Sequence, residues 1–312
     1  RTMIKTITTA RKTLGAGMVA AGLVAGPAAA QDMFGLDLAG SLGEGGFDHY
    51  VPPVTMPTLS ESPFITTELK PIYIYHRIPD GFITDGGSVN AIALQGRIAL
   101  TDRLAIIATT DGWADLDFKR ALPDTDGFLD LAAGVKYAVI SEPQAGNIVS
   151  VGLRYEAPVG NVETAGIDLT GGGAGYIDGF VTGAKIVGDS QVQGSLGVKW
   201  GIDDDNWSFV HAHAHADTEL LPNFFPLVEA NVILPIEGGD RLPGASLTGA
   251  DVFDIGASEP DPIFTLAIGA RYRFSDSIIA GAAVEGNMLD IGDDTAESVY
   301  GWRITTDVTV HF

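Results

Sequence analysis

Residues 300–312 read YGWRITTDVTVHF. Tyr300, Trp302, Ile304, Val308, Val310 and Phe312 share one parity, interrupted by Thr306; Gly301, Arg303, Thr305, Asp307, Thr309 and His311 share the other. Successive side chains of a strand point to opposite sides, so this segment is expected to be a strand with one apolar and one polar face. The same alternation recurs upstream. Phe264, Leu266, Ile268, Ala270, Tyr272 and Phe274 oppose Thr265, Gly269, Arg271 and Arg273, and Val149, Val151, Leu153 and Tyr155 oppose Ser150, Gly152, Arg154 and Glu156. Leu131 to Val139 and Val192 to Trp200 repeat it around Lys136 and Lys199. One such segment is a weak signal; its recurrence from Thr66 to the end of the sequence gives an all-β chain.

The connections between these segments are unequal. Thr101-Asp102-Arg103, Gly188-Asp189-Ser190 and Ser275-Asp276-Ser277 are tight turns, and Glu142 to Gly146 is barely longer. They alternate with long links at 111–126, 158–175 and 237–261. No run of about eighteen apolar residues remains after the first thirty, so a membrane chain of this kind must cross as a closed barrel. Short turns at one end and long loops at the other predict an antiparallel up-and-down transmembrane β-barrel of about twelve strands, over residues 64–312. Pro71, Pro226 and Pro235 each remove a ladder donor, and bulges or shifted boundaries are expected there.

Composition agrees with an apolar scaffold under acidic decoration. The 312 residues carry a net charge of −22, forty glycines and no cysteine. That charge makes nucleic acid a poor partner, and the missing thiols exclude disulfides, thiolate metal sites and Cys nucleophiles. Lys5, Arg11 and Lys12, an apolar stretch from Leu14 to Val24 and the small residues Ala28 to Ala30 read as a secretory signal peptide over residues 1–30. Residues 31–63, rich in Gly, Pro and Ser and without a period, read as a flexible segment, either periplasmic or plug-like.

Nine basic residues are assigned to the inward parity: Lys70, Arg97, Lys136, Arg154, Lys185, Lys199, Arg271, Arg273 and Arg303. Glu68, Asp130, Glu156, Glu229, Glu285 and Asp307 are placed opposite them, and most other acids fall in links. The run His211-Ala-His213-Ala-His215 puts three imidazoles on one strand face, about 7 Å apart by strand rise. Two His at that spacing can ligate zinc, but no third ligand is identifiable, so the row is read as pore lining and no metal or cofactor is expected. Channel-lining candidates are therefore Arg97, Lys136, Arg154, Glu156, Lys199, His211, His213, His215, Arg271, Arg273 and Arg303.

Gly188-Asp189-Ser190 has the outline of an esterase nucleophile block. Asp307 and His311 are one residue too far apart for its partners, and no catalytic residue or enzymatic activity is expected.

The terminal strand resembles the C-terminal signature of bacterial outer-membrane β-barrels, in which the last strand closes the barrel and carries the assembly signal. By that resemblance Tyr300, Trp302, Val308, Val310 and Phe312 form a membrane-assembly signal. The segments PFITTELKPIYIYHRIP (63–79), ALTDRLAIIATTDGW (99–113), FFPLVEANVILPIEGGDRLPG (224–244) and IGARYRFSDSIIAGAAVE (268–285) are similar to Gram-negative outer-membrane channels or transporters, including the family named for the phenol-degradation pathway. The resemblance implies an outer-membrane location, periplasmic and outer-membrane assembly machinery and lipids as partners, and passive diffusion of a small solute, aromatic or hydrophobic. The alternatives are a closed structural or surface-binding barrel without transport and, third, an outer-membrane lipase.

Overall fold

The computed structural model describes residues 38–246, 248–288 and 301–312. The expected signal peptide, the first residues of the segment that follows it, and Tyr300 lie outside the described residues. The chain forms a closed antiparallel barrel of twelve strands. They are β1 (Glu68–Ile78), β2 (Gly87–Ala99), β3 in two segments (Leu104–Thr110 and Gly112–Phe118), β4 in two segments (Thr125–Phe128 and Leu131–Glu142), β5 (Asn147–Ala157) and β6 (Tyr176–Val187). The second half adds β7 (Ser190–Gly201), β8 (Ser208–Thr218), β9 (Phe224–Glu237), β10 (Ile263–Ser275), β11 (Ile278–Asn287) and β12 (Trp302–His311). Each strand pairs with its chain neighbours, and β1 also pairs with β12, from Glu68 against His311 to Arg77 against Trp302. Closure leaves no open sheet edge, which lipid would not tolerate.

Alternation turns the sheet inside out relative to a water-soluble sandwich. Leu69 and Tyr73 of β1, Leu153 and Tyr155 of β5, Leu196 and Trp200 of β7 and Ile268 and Phe274 of β10 are exposed on the outer wall. Glu68, Lys70, Arg154, Lys199 and Arg271, of the opposite parity, are buried inside. Aromatic side chains collect at the two margins of the outer wall. Tyr155, Trp200 and Trp302 lie toward the long-loop end, where Tyr75 stacks on Trp302 at 5.5 Å; Tyr137, Tyr272 and Phe274 lie toward the short-turn end. These are the girdles expected at the two membrane interfaces.

The prolines fall where the ladder can spare a donor. The pairing of β1 with β12 lapses between Leu69 and Ile72, spanning Pro71. Pro226 lies one residue beyond the last pair that β9 makes with β8, and a register shift between Ser208 and Phe209 accommodates Pro235. The expected link at 111–126 is shorter than its composition suggested. Asp111 marks a kink within β3, and Trp113–Leu116 pairs onward with Thr125–Phe128, so the acids Asp115, Asp117 and Asp126 stand on strands.

Three long loops fold over the mouth. Phe82, Val162, Leu169, Ile255 and Ala257 pack against Ile72, Ile74 and Ile78 of β1 and Leu116 of β3 in one buried cluster. At the opposite end Phe47, Tyr50, Phe64 and Ile65 pack against Ala99, Ile107, Ile148, Phe180 and Ile186. Between these clusters most inward side chains are polar or charged, with smaller apolar clusters formed where Val51, Val54, Met56 and Leu59 meet the wall.

Candidate functional site

The polar layer is built around segment 50–66, which runs through the lumen without helix or strand and turns once at 56–60. Such a backbone must still satisfy its polar groups, since unpaired buried ones are costly. Its sequence, YVPPVTMPTLSESPFIT, lessens the problem, because prolines 52, 53, 57 and 63 have carbonyls but no N–H. The segment is therefore rich in acceptors, and the inward side chains of the wall are rich in donors. Arg271 of β10 donates to Pro52 O at 2.6 Å and Pro53 O at 2.8 Å, and Lys70 of β1 donates to Pro53 O at 2.9 Å. Gln95 reaches Pro57 O, Arg154 reaches the carbonyls of Thr58 and Leu59, Thr182 reaches Glu61 O, and Lys136 reaches Ser62 O. Gln191 and Gln193 both donate to Val51 O. The wall returns two acceptors: the Glu229 carboxylate takes Val54 N–H at 2.8 Å and Thr55 N–H at 2.7 Å, and Gln191 Oε1 takes Val51 N–H at 3.5 Å.

Glu61 anchors the segment electrostatically. Its Oε1 meets Lys136 Nζ at 2.7 Å and its Oε2 meets Arg97 Nη2 at 2.7 Å, joining β2 to β4 through the middle of the barrel. Burial alone would raise the Glu61 carboxyl, but the Arg97 and Lys136 cations hold it well below the usual carboxylate range. Arg97 also pairs with Glu68 at 3.0 Å. Further round the wall, Arg154 is paired with Asp178, Arg271 is bidentate to Asp307, and Lys199 is held by Glu156 at 2.8 Å. Arg303 bridges Glu285 and Asp251, the latter reaching in from the long loop before β10. Against the desolvation of Asp251, Arg303 keeps its carboxyl below the ordinary value.

The three histidines of β8 all point inward, and the first two are hydrogen-bonded to each other. His211 Nε2 meets Asp178 Oδ1 at 3.0 Å and its Nδ1 meets His213 Nε2 at 3.1 Å; His213 Nδ1 meets Asn231 Oδ1 at 2.8 Å. His215 lies between Glu229 and Asp217, 2.7 Å from each. It thus steadies the carboxylate that grips Val54 and Thr55. Among the described residues no group of His, Asp and Glu is arranged to hold a metal ion.

The inward candidates Arg97, Lys136, Arg154, Glu156, Lys199, His211, His213, His215, Arg271 and Arg303 are thus brought into the lumen. Arg273 lies half-buried nearer the short-turn end, donating to Tyr50 O at 3.0 Å. Lys185 does not join them. It is exposed on the outer wall and donates to Ala145 O, because Phe180 and Ile186 face inward against segment 47–65 and make both parities of β6 read as apolar. The residues that the pattern missed are Glu61, Asp178 and Asp251. Ser190 hydrogen-bonds to Thr218, Asp307 is taken by Arg271 and Lys70, and His311 lies beside Glu68.

Space inside the barrel is divided by the segment. Around its middle the gaps beside Glu61, His213 and His215, and beside Glu156 and Lys199, measure about 10 Å³ each, roughly one water. Toward the short turns a vestibule of about 530 Å³ opens between residues 39–50 and the ends of β10, β11 and β12. Toward the long loops an apolar cavity of about 70 Å³ remains.

Among solved structures, an outer-membrane channel from Pseudomonas putida F1 superposes with a TM-score of 0.53 at 15% identity, over 84% of this chain and 100% of that one. The chain has the fold of an outer-membrane β-barrel channel. The NanC porin aligns at a TM-score of 0.47 and 7% identity over 79% of this chain and 99% of its own, and the KdgM porin at 0.42 and 10% over 78% and 99%. No family profile and no curated protein matches the sequence. The apolar outer wall, the aromatic girdles and the closed twelve-strand sheet are those of a membrane-spanning barrel.

Proposed function

We propose that this outer-membrane barrel is a channel for passive diffusion of a small solute, aromatic or otherwise apolar, closed by residues 50–63 and opened when that segment leaves the lumen. The observation that carries this reading is how the segment is held. The contacts around it in the middle layer are mostly hydrogen bonds and ion pairs to Lys70, Gln95, Arg97, Lys136, Arg154, Gln191, Glu229 and Arg271, groups that water can serve equally well. Its apolar packing is divided among separate clusters: Tyr50, Phe64 and Ile65 at the short-turn end, Val51 with Phe225 and Ile279, Val54 with Leu227 and Ala283, and Met56 and Leu59 with Trp207, Phe209 and Ile263. With the segment withdrawn, Arg97, Lys136, Arg154, Glu156, Lys199, the His211–His215 row, Arg271, Arg273 and Arg303 line a hydrated, charge-bearing path. Twelve strands lie between filled eight-stranded barrels and open porins of about sixteen. The outward face of β12, with Trp302, Val308, Val310 and Phe312, is assigned the role of assembly signal, and residues 1–30 that of export signal.

Proteoliposome flux tests the channel. Glu229→Gln removes the charge that grips Val54 and Thr55, and is expected to raise the flux of a small uncharged solute several-fold over the parent chain. The gaps of about 10 Å³ favour the other reading, a closed structural or surface barrel. That reading expects no flux from either protein while both keep the heat-modifiable gel mobility of a folded barrel.

A further inference from the structure

One imidazole stands behind much of the wall's hold on the inner segment. His215 Nδ1 lies 2.7 Å from Glu229 Oε1, and its Nε2 lies 2.7 Å from Asp217 Oδ2. Glu229 grips the Val54 and Thr55 N–H groups and also accepts the Thr55 hydroxyl. Asp217 Oδ2 receives Gln191 Nε2 at 2.9 Å, and Gln191 in turn donates to Val51 O. Residues 51, 54 and 55 are thus all held by groups that His215 orients.

The two contacts of the ring count its protons. A neutral imidazole has one N–H and one lone pair, whereas both nitrogens of His215 face carboxylate oxygens. Glu229 accepts three further hydrogen bonds and Asp217 one, as carboxylates do, so the extra proton belongs to the ring. Among the described residues no Lys or Arg nitrogen comes within 4.0 Å of either carboxylate. Arg271, on the far side of Glu229, is bidentate to Asp307, and Arg273, toward Asp217, donates to Tyr50 O. From the segment, Glu61 lines the gap beside His215, with its oxygens held by Arg97 and Lys136. β6 and β7 bring only the neutral Thr182, Gln193 and Ser195 to that gap, and His213 of β8 is bonded to His211 and Asn231.

We propose that His215 is an imidazolium while segment 50–63 fills the lumen, and that loss of its proton in the alkaline range releases the segment. A neutral ring sets its lone pair against one of the two carboxylates. That charge is then buried without a partner unless water enters where the segment lies. With the segment gone, the ring is hydrated and titrates near the ordinary His value of about 6.5. Filling the lumen therefore takes up a proton wherever the hydrated ring is neutral, and raising the pH above that range favours release. That release opens a pore rests on the channel reading; the proton count and the release do not.

Thiol labelling reads release without any flux, because the chain has no cysteine of its own. Ser60→Cys, beside the same gap, is placed in the full chain in nanodiscs and labelled with a charged methanethiosulfonate. Rates are taken relative to free cysteine at each pH, which removes the ionisation of the thiol itself. The ratio is expected to rise at least ten-fold from about pH 7 to about pH 9.5. Adding His215→Gln should make it high at neutral pH and flat within two-fold; adding His213→Gln instead should keep the rise. Nitrogen NMR of protein carrying 15N-histidine should show, at neutral pH, a doubly protonated ring that His215→Gln removes. Heat-modifiable mobility reports that each variant is folded. A flat ratio in Ser60→Cys alone, an equal rise with His215→Gln, or a singly protonated His215 ring would overturn the proposal. Conductance measured in parallel separates the two claims: labelling that rises with pH in a barrel that never conducts leaves the switch standing and removes the channel, and pH-independent labelling of a conducting barrel does the reverse.

Discussion

At the scale of single residues, Glu61 is the side chain on which the closed state depends most. It is buried and serves two cations from different strands. A buried pair adds little net stability against an apolar replacement, but removing one partner strands the other, at about 3–5 kcal/mol. Glu61→Gln is therefore expected to loosen the segment and raise conductance at neutral pH. Because the folded carboxyl is held below its ordinary value, its contribution is full above the unfolded value of 4.5. It diminishes as the pH falls below that value and is lost once the pH passes through the folded value. Open probability in planar bilayers should then be flat from pH 7 to about pH 5 and rise with further acidification, and Glu61→Gln should start higher and respond less steeply. Equal acid responses in the two proteins would remove Glu61 from the account. The Arg97 and Lys136 side chains at this site were readable from strand parity. Glu61 was not, because it stands in a stretch with no period.

At the scale of the strand, the interior is fitted by setting glycines beside bulky inward groups. Gly152 pairs with Phe180, Gly197 with His211 and Gly281 with Arg271. A Cβ at Gly152 would stand 2.2 Å from the Phe180 ring, whose face also carries the Arg154 guanidinium at 4.8 Å. Gly152→Ala should thus destabilise the barrel by about 1–3 kcal/mol, the usual cost of overpacking. Gly194→Ala, on the outer wall with its nearest neighbour at 3.6 Å, should stay within about 0.5 kcal/mol. Urea unfolding midpoints of the two variants check this, and similar shifts would contradict it. Strand periodicity revealed most of the walls because lipid outside and polar groups inside give every strand the same alternation. It failed where the interior is itself apolar. Phe180 and Ile186 pack against the inner segment, so β6 lost its contrast and Lys185 was placed on the wrong face.

At the scale of the whole molecule, the fold was legible and the occupancy of the lumen was not. A strand cannot tell whether its inward Arg faces water or a backbone carbonyl, since either satisfies the same donor. One signal lay in the sequence unread: prolines 52, 53, 57 and 63 make segment 50–66 a string of acceptors, and the inward rows held an excess of donors to receive it. The absence of cysteine from the chain permits a direct test of what that segment does. Thr55 Oγ1 and Asn231 Nδ2 lie 3.0 Å apart, so Thr55→Cys with Asn231→Cys places a thiol on the segment beside one on β9. Single-channel conductance of this double variant, measured oxidised and then after reduction, tests the central claim. A silent oxidised protein that conducts when reduced is the expected result; no conductance from the folded protein in either state, or equal conductance in both with the disulfide verified, would contradict it.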